Sequence, residues 1–396
     1  MTHVLGLALF AWLAFKKPHF AHGLILALLP AYLMRFTILG YPTTFLELML
    51  LVFVLSVAIT HRHRFNKLAV LGKLHLVIAL FVLAGIISAV VSPEPIRALG
   101  HLKAFIIEPV LFFYATLLLY RNQGELKLSL SLVSASTLII SIFGIIQYFT
   151  HIYLPLRFWG TGEEPLRIVS VFEYPNALAL YLAPLIVFFI GLYLYKPLVN
   201  RSLLLWTVFF SGIALIMTFS RGAWLGVLAG LFVLFLKKYG SKKAVAAMIA
   251  ILALVLLIPQ TRERVGTIFN DSSSFAHQDL MKVAVSKILD QPFLGNGLFG
   301  FRTTLVEAGF KGEILNYPHN VFLNFWLELG LLGLIAFALT ISIGFRSYQK
   351  QPNHLKLVAA CCLITIIVHG LVDVPYFKND LSVMFWFIIS LFYIPE

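Results

Sequence analysis

Long apolar runs alternate with short polar breaks along the chain. A helix rises 1.5 Å per residue, so roughly 20 apolar residues cross about 30 Å of hydrocarbon. A helix also satisfies its own backbone hydrogen bonds where water is absent. Alternating segments of about ten residues, the mark of a transmembrane β-barrel, do not occur. The pattern predicts an all-α, polytopic integral membrane protein, one domain over residues 1–396. Twelve spans are expected, near residues 23–39, 43–60, 74–91, 104–120, 128–149, 177–195, 202–219, 223–236, 244–258, 321–345, 357–372 and 381–394. Residues 4–15 are short for a crossing and leave a half-span, a thinning helix or a thirteenth crossing open.

One polar stretch, residues 259–320, is far longer than the others and is expected to form the main outward-facing loop. Connections of that length without a role are uncommon. Within it Leu280, Ala284 and Ile288, beside Met281, Val285 and Leu289, recur at helical spacing, with Gln278, Asp279, Lys282 and Lys287 opposite. This predicts a short amphipathic helix ended by Pro292. It would lie on the outer membrane surface, roof a cavity between spans, or simply pack.

Composition agrees: 60% of residues are hydrophobic and 12% charged, against about 45–50% and about 25% in soluble domains. A soluble globular protein is excluded. The net charge of +13 needs no nucleic acid partner. Six alternate breaks carry 17 Lys and Arg and a single acid, Glu125, which assigns that side to the cytoplasm and the intervening breaks to the outside. Cys361 and Cys362 are adjacent in an apolar run and imply neither a disulfide framework nor zinc. The N-terminal segment has no basic stretch before its apolar core and reads as retained structure.

Few residues stand out as chemistry. Arg221, in FSRGAWLG, occupies a tight outward turn between two spans. It is either an interfacial anchor or a ligand for a phosphate, the group a guanidinium grips with two parallel bonds. His319, in NYPHNVFLNFWLELGLLG, ends the long loop. An imidazole suits proton transfer near neutral pH, and a structural helix start is the competing reading. Gly330 and Gly333 are expected to let the following span pack closely. Arg167 precedes the Pro175-Asn176 turn, as an anchor or a ligand. His369 and Asp373 share a helix face and read as a helix-end polar cluster, with a proton pair as the alternative. Glu47 and Glu328 lie in or near apolar spans and are expected to be paired or cavity-facing. The string GNGLFG, Gly295 to Gly300, matches a dinucleotide fingerprint but follows Pro292 in a loop and not a strand, so its glycines read as loop turns. Metal motifs and Walker loops are missing from the sequence, so chemistry without a metal or cofactor is expected.

FSRGAWLG followed by HNVFLNFWLELGLLG resembles the O-antigen ligase and polymerase family of bacterial membrane glycosyltransferases. Arg221 with Leu225, and His319 with Gly330 and Gly333, carry the resemblance, and DQPFLGNGLFGF extends it. The resemblance implies transfer of a glycan from an undecaprenyl diphosphate carrier to a lipid, glycan or protein acceptor, on the outer face of the inner membrane. It casts His319 as the base and Arg221 as the diphosphate clamp, with Arg167, Asn176 and Asn320 at the substrate. Relatives often carry an arginine where His277 stands, which leaves the second diphosphate ligand among Arg262, Arg264, His277 and Arg302. Inverting displacement at the anomeric carbon follows. A repeat-unit polymerase is the alternative within the family, and a lipid-linked glycan flippase the alternative outside it.

Overall fold

The structure is a computed structural model that describes residues 2–38, 40–158, 166–195, 197–266 and 272–396. Among these residues it is almost wholly helical. The first part holds α1 (Thr2–Lys16), α2 (Pro18–Ala27), a hairpin of β1 (Arg35–Ile38) and β2 (Tyr41–Thr44), α3 (Phe45–Thr60), α4 (Lys73–Val91), α5 (Pro95–His101), α6 (Glu108–Leu119) and α7 (Lys127–Thr150). A π-helical turn, Leu102–Ile107, joins α5 to α6. The middle holds α8 (Pro175–Tyr195), α9 (Arg201–Met217), α10 (Arg221–Tyr239) and α11 (Ser241–Leu256). Then come α12 (Pro259–Gly266), α13 (Ser272–Asp290), α14 (Phe301–Glu307), α15 (Val321–Lys350), α16 (His354–His369) and α17 (Asn379–Ser390).

An all-α membrane protein is what the apolar pattern predicts, but the count of twelve spans needs correction. Among the described residues six helical stretches are long and apolar enough to cross a membrane, and eight if two pairs, each bent by 104°, count as one span apiece. The expected span at 23–39 stops at Ala27, because Leu29–Leu33 forms a tight turn and Arg35 starts the antiparallel hairpin. Helices α9, α16 and α17 have 17, 16 and 12 residues, short of the roughly 20 a full crossing takes. Every residue of α17 is buried, so this helix is covered by protein along its whole length.

The amphipathic helix of the long loop is present as α13. Leu280, Ala284 and Ile288 are buried against Phe301, Leu305 and Leu327, so that row packs on α14 and α15. The neighbouring Val285 and Leu289 are exposed. Residues 267–271 of this loop lie outside the described residues.

Helix α15 is broken in mid-course at Gly330, with φ +67°. Gly330 thus serves a kink, and close packing of two straight helices is not its role. The segment Phe293–Gly297 fills the break: Asn296 N donates to Leu327 O at 2.6 Å and Leu331 N to Phe293 O at 3.0 Å. Gly295 and Gly297 also have positive φ. A Cβ on Gly297 would stand 2.5 Å from Ser92 Cα in the chain just beyond α4. The GNGLFG glycines are loop turns, as expected, and they also wedge the loop between α15 and α4.

Candidate active site

Helices α8, α10 and α15 begin, and α16 ends, around one point of the bundle. The turn from α9 to α10 is tight enough to force Phe219 to φ +51°, an uncommon conformation for a bulky residue. Ser220 N donating to Thr218 Oγ1 at 3.3 Å and Trp224 Nε1 donating to Leu215 O at 3.2 Å hold it. This turn starts α10 with Arg221. Its Nη1 donates to Arg264 O at 3.3 Å. Arg167 reaches the same turn, its Nε donating to Thr218 O and its Nη2 to Asn176 Oδ1, both at 2.8 Å.

Helix α10 lies on α16 along a seam of glycines, the small-residue packing that lets membrane helices approach closely. A Cβ on Gly222 would stand 3.0 Å from His369 Cδ2, and one on Gly226 2.8 Å from Thr365 O. At Gly230 it would collide with Thr365 Oγ1. The seam brings the arginine turn to the C-terminal end of α16.

His319 arrives there from the other side. It has φ +52° and precedes Asn320, whose Oδ1 caps α15 by accepting from Phe322 and Leu323 N, both at 3.0 Å. Asn320 Nδ2 donates to Leu371 O at 3.0 Å and Val321 N to Gly370 O at 2.7 Å. These bonds tie the start of α15 to the end of α16. His319 Nδ1 consequently stands 3.3 Å from Asp373 Oδ1, both side chains nearly buried. The two atoms lie within ion-pair distance, which becomes an ion pair only with a protonated imidazole, and Nδ1 does not meet the geometry of an aligned hydrogen bond. Burial pushes the Asp373 carboxyl up, but contact with His319, the charges of His319 and His369 and the Val374 N–H together hold it down at about 2.

The arrangement revises the reading of His369 and Asp373. They do not share a helix face, because α16 ends at His369 and Asp373 lies in the turn beyond it; the carboxylate meets His319 while His369 is buried against α10. Only the tertiary fold pairs Asp373 with a residue so distant in sequence. His277 stacks face to face on His319, ring centroids 4.1 Å apart at 12°. Tyr317 meets the His319 ring edge-on at 5.5 Å.

The structure thus joins Arg167 with Asn176, Arg221 with Arg264, and His277 with His319 beside Asn320. Arg302 stands apart, exposed on α14, and no hydrogen bond or ion pair links it to the group among the described residues. Chemically, guanidinium groups at converging helix N-termini favour an anion. An imidazole whose Nδ1 faces a carboxylate carries its proton there, which leaves Nε2 as the basic nitrogen; the tautomer is inferred from the partner.

Residues 206–338 match the family described as O-Antigen ligase, a segment that runs from before Arg221 to beyond His319 and Gly330. Over those residues the chain is similar to the O-antigen ligase family. An O-antigen ligase of Pseudomonas aeruginosa is 25% identical over 274 residues, 67% of this chain and 62% of that protein. A ComP-specific O-oligosaccharyltransferase of Acinetobacter baylyi is 27% identical over 179 residues, 41% of this chain and 32% of that protein. An uncharacterized protein of Haemophilus influenzae is 27% identical over 186 residues, 41% and 47%. The matches span less than two thirds of the length of each of these relatives. Arg221 and His319 both fall inside the matched segment, whereas α16 lies outside it.

Proposed function

We propose that this protein moves a glycan from an undecaprenyl diphosphate carrier to an acceptor hydroxyl at the outer face of the inner membrane, the whole chain acting as one transferase domain. The carrying observation is the 3.3 Å contact of His319 with Asp373 beside the arginine turn at the start of α10. His319 Nε2 takes the proton of the acceptor hydroxyl, and the oxygen attacks the anomeric carbon from the face opposite the diphosphate. The glycosidic carbon–oxygen bond breaks and its electron pair leaves on the diphosphate. Arg221 and Arg167 meet that growing charge, the electrostatic role that donors fixed in advance perform best. Arg264 and His277 flank the diphosphate, and Asn176 and Asn320 hold the helix starts that carry the site. Inversion follows from a single displacement, with guanidinium groups supplying the positive charge and no metal required. The lipid tail stays in the bilayer beside α10 and α16.

Reconstitution in liposomes with a polyprenyl diphosphate-linked oligosaccharide and a crude acceptor extract tests the reading, with free polyprenyl diphosphate as the product measured. Wild type releases it, and Arg221→Ala and His319→Ala do not. A ladder of repeats grown from a single-repeat donor would identify a polymerase of the same family. Donor crossing the bilayer without release would replace the transferase with a flippase.

A further inference from the structure

A cavity of about 500 Å³ opens next to the site, and none of the eight sequence-derived site residues lines it. Its walls come from the β-hairpin, the start of α3, the α5 and π-helical segment, and the loops before α8, α15 and α17. Tyr174 and Tyr317 separate it from the site, their hydroxyls 2.8 Å apart. Tyr317 presents its other side to His319.

The cavity is rich in charge, and nearly all of it is already balanced. Arg35 pairs with Glu173 at 3.3 Å and Arg97 with Glu94 at 2.9 Å. Lys103 pairs with Glu47, which also accepts from Asn379 Nδ2 at 2.7 Å and Thr43 Oγ1 at 3.0 Å. Lys378 differs. Its ammonium lies 4.2 Å from the Tyr174 ring centroid, 5.8 Å from that of Tyr32 and 3.5 Å from the Tyr32 hydroxyl. Among the described residues no carboxylate stands within ion-pair distance of it. Asp380, Asp373 and Glu173 surround it farther off, and burial weakens its hold on the proton more than they restore it. Aromatic faces hold a cation in place without neutralising it, and a cation away from water gains strongly from an anion brought to it.

We propose that this cavity is the acceptor subsite and that Lys378 binds an anionic group, a sugar carboxylate or phosphate, on the acceptor. The proposal rests on the transferase reading for the word acceptor, but the anion site stands on the cavity alone. Alternating aromatic faces and paired charges suit the apolar faces and hydroxyl edges of sugar rings. The chain from Asp373 to Lys378 serves both chambers: one end faces His319 and the other faces the cavity. An acceptor anchored at Lys378 is thereby placed on the histidine side of the donor, away from the arginines.

Two measurements test this. In detergent, glucuronate and glucose 6-phosphate at equal concentration should raise the melting temperature of wild type more than glucose does, and Lys378→Gln should lose the difference while Lys378→Arg keeps it. Equal shifts from all three sugars in wild type would overturn the proposal. In the transfer assay, Lys378→Gln should raise the acceptor KM about tenfold, the scale of one charge-assisted contact, with donor KM and kcat unchanged. Stripping the acceptor extract with phosphatase or by carbodiimide reduction should raise the wild-type KM as much and add nothing in Lys378→Gln. Which treatment acts identifies phosphate or carboxylate; a loss that adds in full to that of the variant, or that falls on the donor KM, would overturn the assignment. Anion-dependent stabilisation without release of polyprenyl diphosphate would retain the anion site and sink the transferase reading instead.

Discussion

His319 and Asp373 face each other at 3.3 Å across the start of α15 and the end of α16, held by two backbone ties, Asn320 to Leu371 and Val321 to Gly370. The carboxylate fixes which imidazole nitrogen carries the proton, and therefore which one can accept another. Replacing Asp373 by Asn keeps the shape and removes that control. Asp373→Asn should lower kcat by about 10²-fold, the lower end of what a positioned base contributes, with donor KM little changed. Initial rates at saturating acceptor check this.

The same carboxylate sets an acid limit. Its folded value of about 2 lies below the ordinary 3.8, so the native state binds fewer protons than the unfolded chain between those values. Its stabilisation is complete above the unfolded value and fades as pH falls through the folded one. Melting temperatures in detergent should decline from about pH 4 downward, and Asp373→Asn should flatten that decline.

Arg221 begins its helix from a strained turn, its guanidinium donates to Arg264 O, and the proposed function has it meet the diphosphate. Arg221→Ala should reduce kcat by about 10² to 10³, as for other single donors to a developing anion. Arg221→Lys should recover only part of this, because an ammonium cannot make two parallel bonds to a phosphate. The release assay distinguishes the two.

Gly330 tests the broken helix. At φ +67° an added Cβ would also run into Phe293 O and the Leu294 backbone, so Gly330→Ala should destabilise by about 1–3 kcal/mol. Gly212→Ala is the control: it lies inside α9 with open space around it, and should stabilise by up to about 1 kcal/mol. Thermal unfolding of both variants decides.

The apolar runs were sufficient to read the fold class and most helices, since α4, α7, α8 and α9 lie within a few residues of their expected bounds. Hydropathy does not reveal where a run turns back before crossing. The β-hairpin at Arg35–Thr44 and the short α16 and α17 depend on packing against the rest of the bundle. At the site, Arg221 was legible because it stands at a tight break between two apolar runs, and His319 because it stands at the end of the long loop just before one. Asp373 was visible as an acid at a helix end, but its partner depends on how α15 and α16 meet. Lys378 and the Tyr174–Tyr317 pair belong to loops whose proximity no spacing in the sequence encodes.

Along Gly222, Gly226 and Gly230 the helices α10 and α16 touch with no side chain of α10 between them. On the α10 side their separation therefore has no rotamer through which to relax. The arginine turn rides on one of these helices and the Asp373 loop on the other, so the seam acts as a gauge block between that turn and that loop. Under the proposed transfer, the span from diphosphate to histidine is fixed on the α10 side by this seam, whatever sugars the surrounding loops admit.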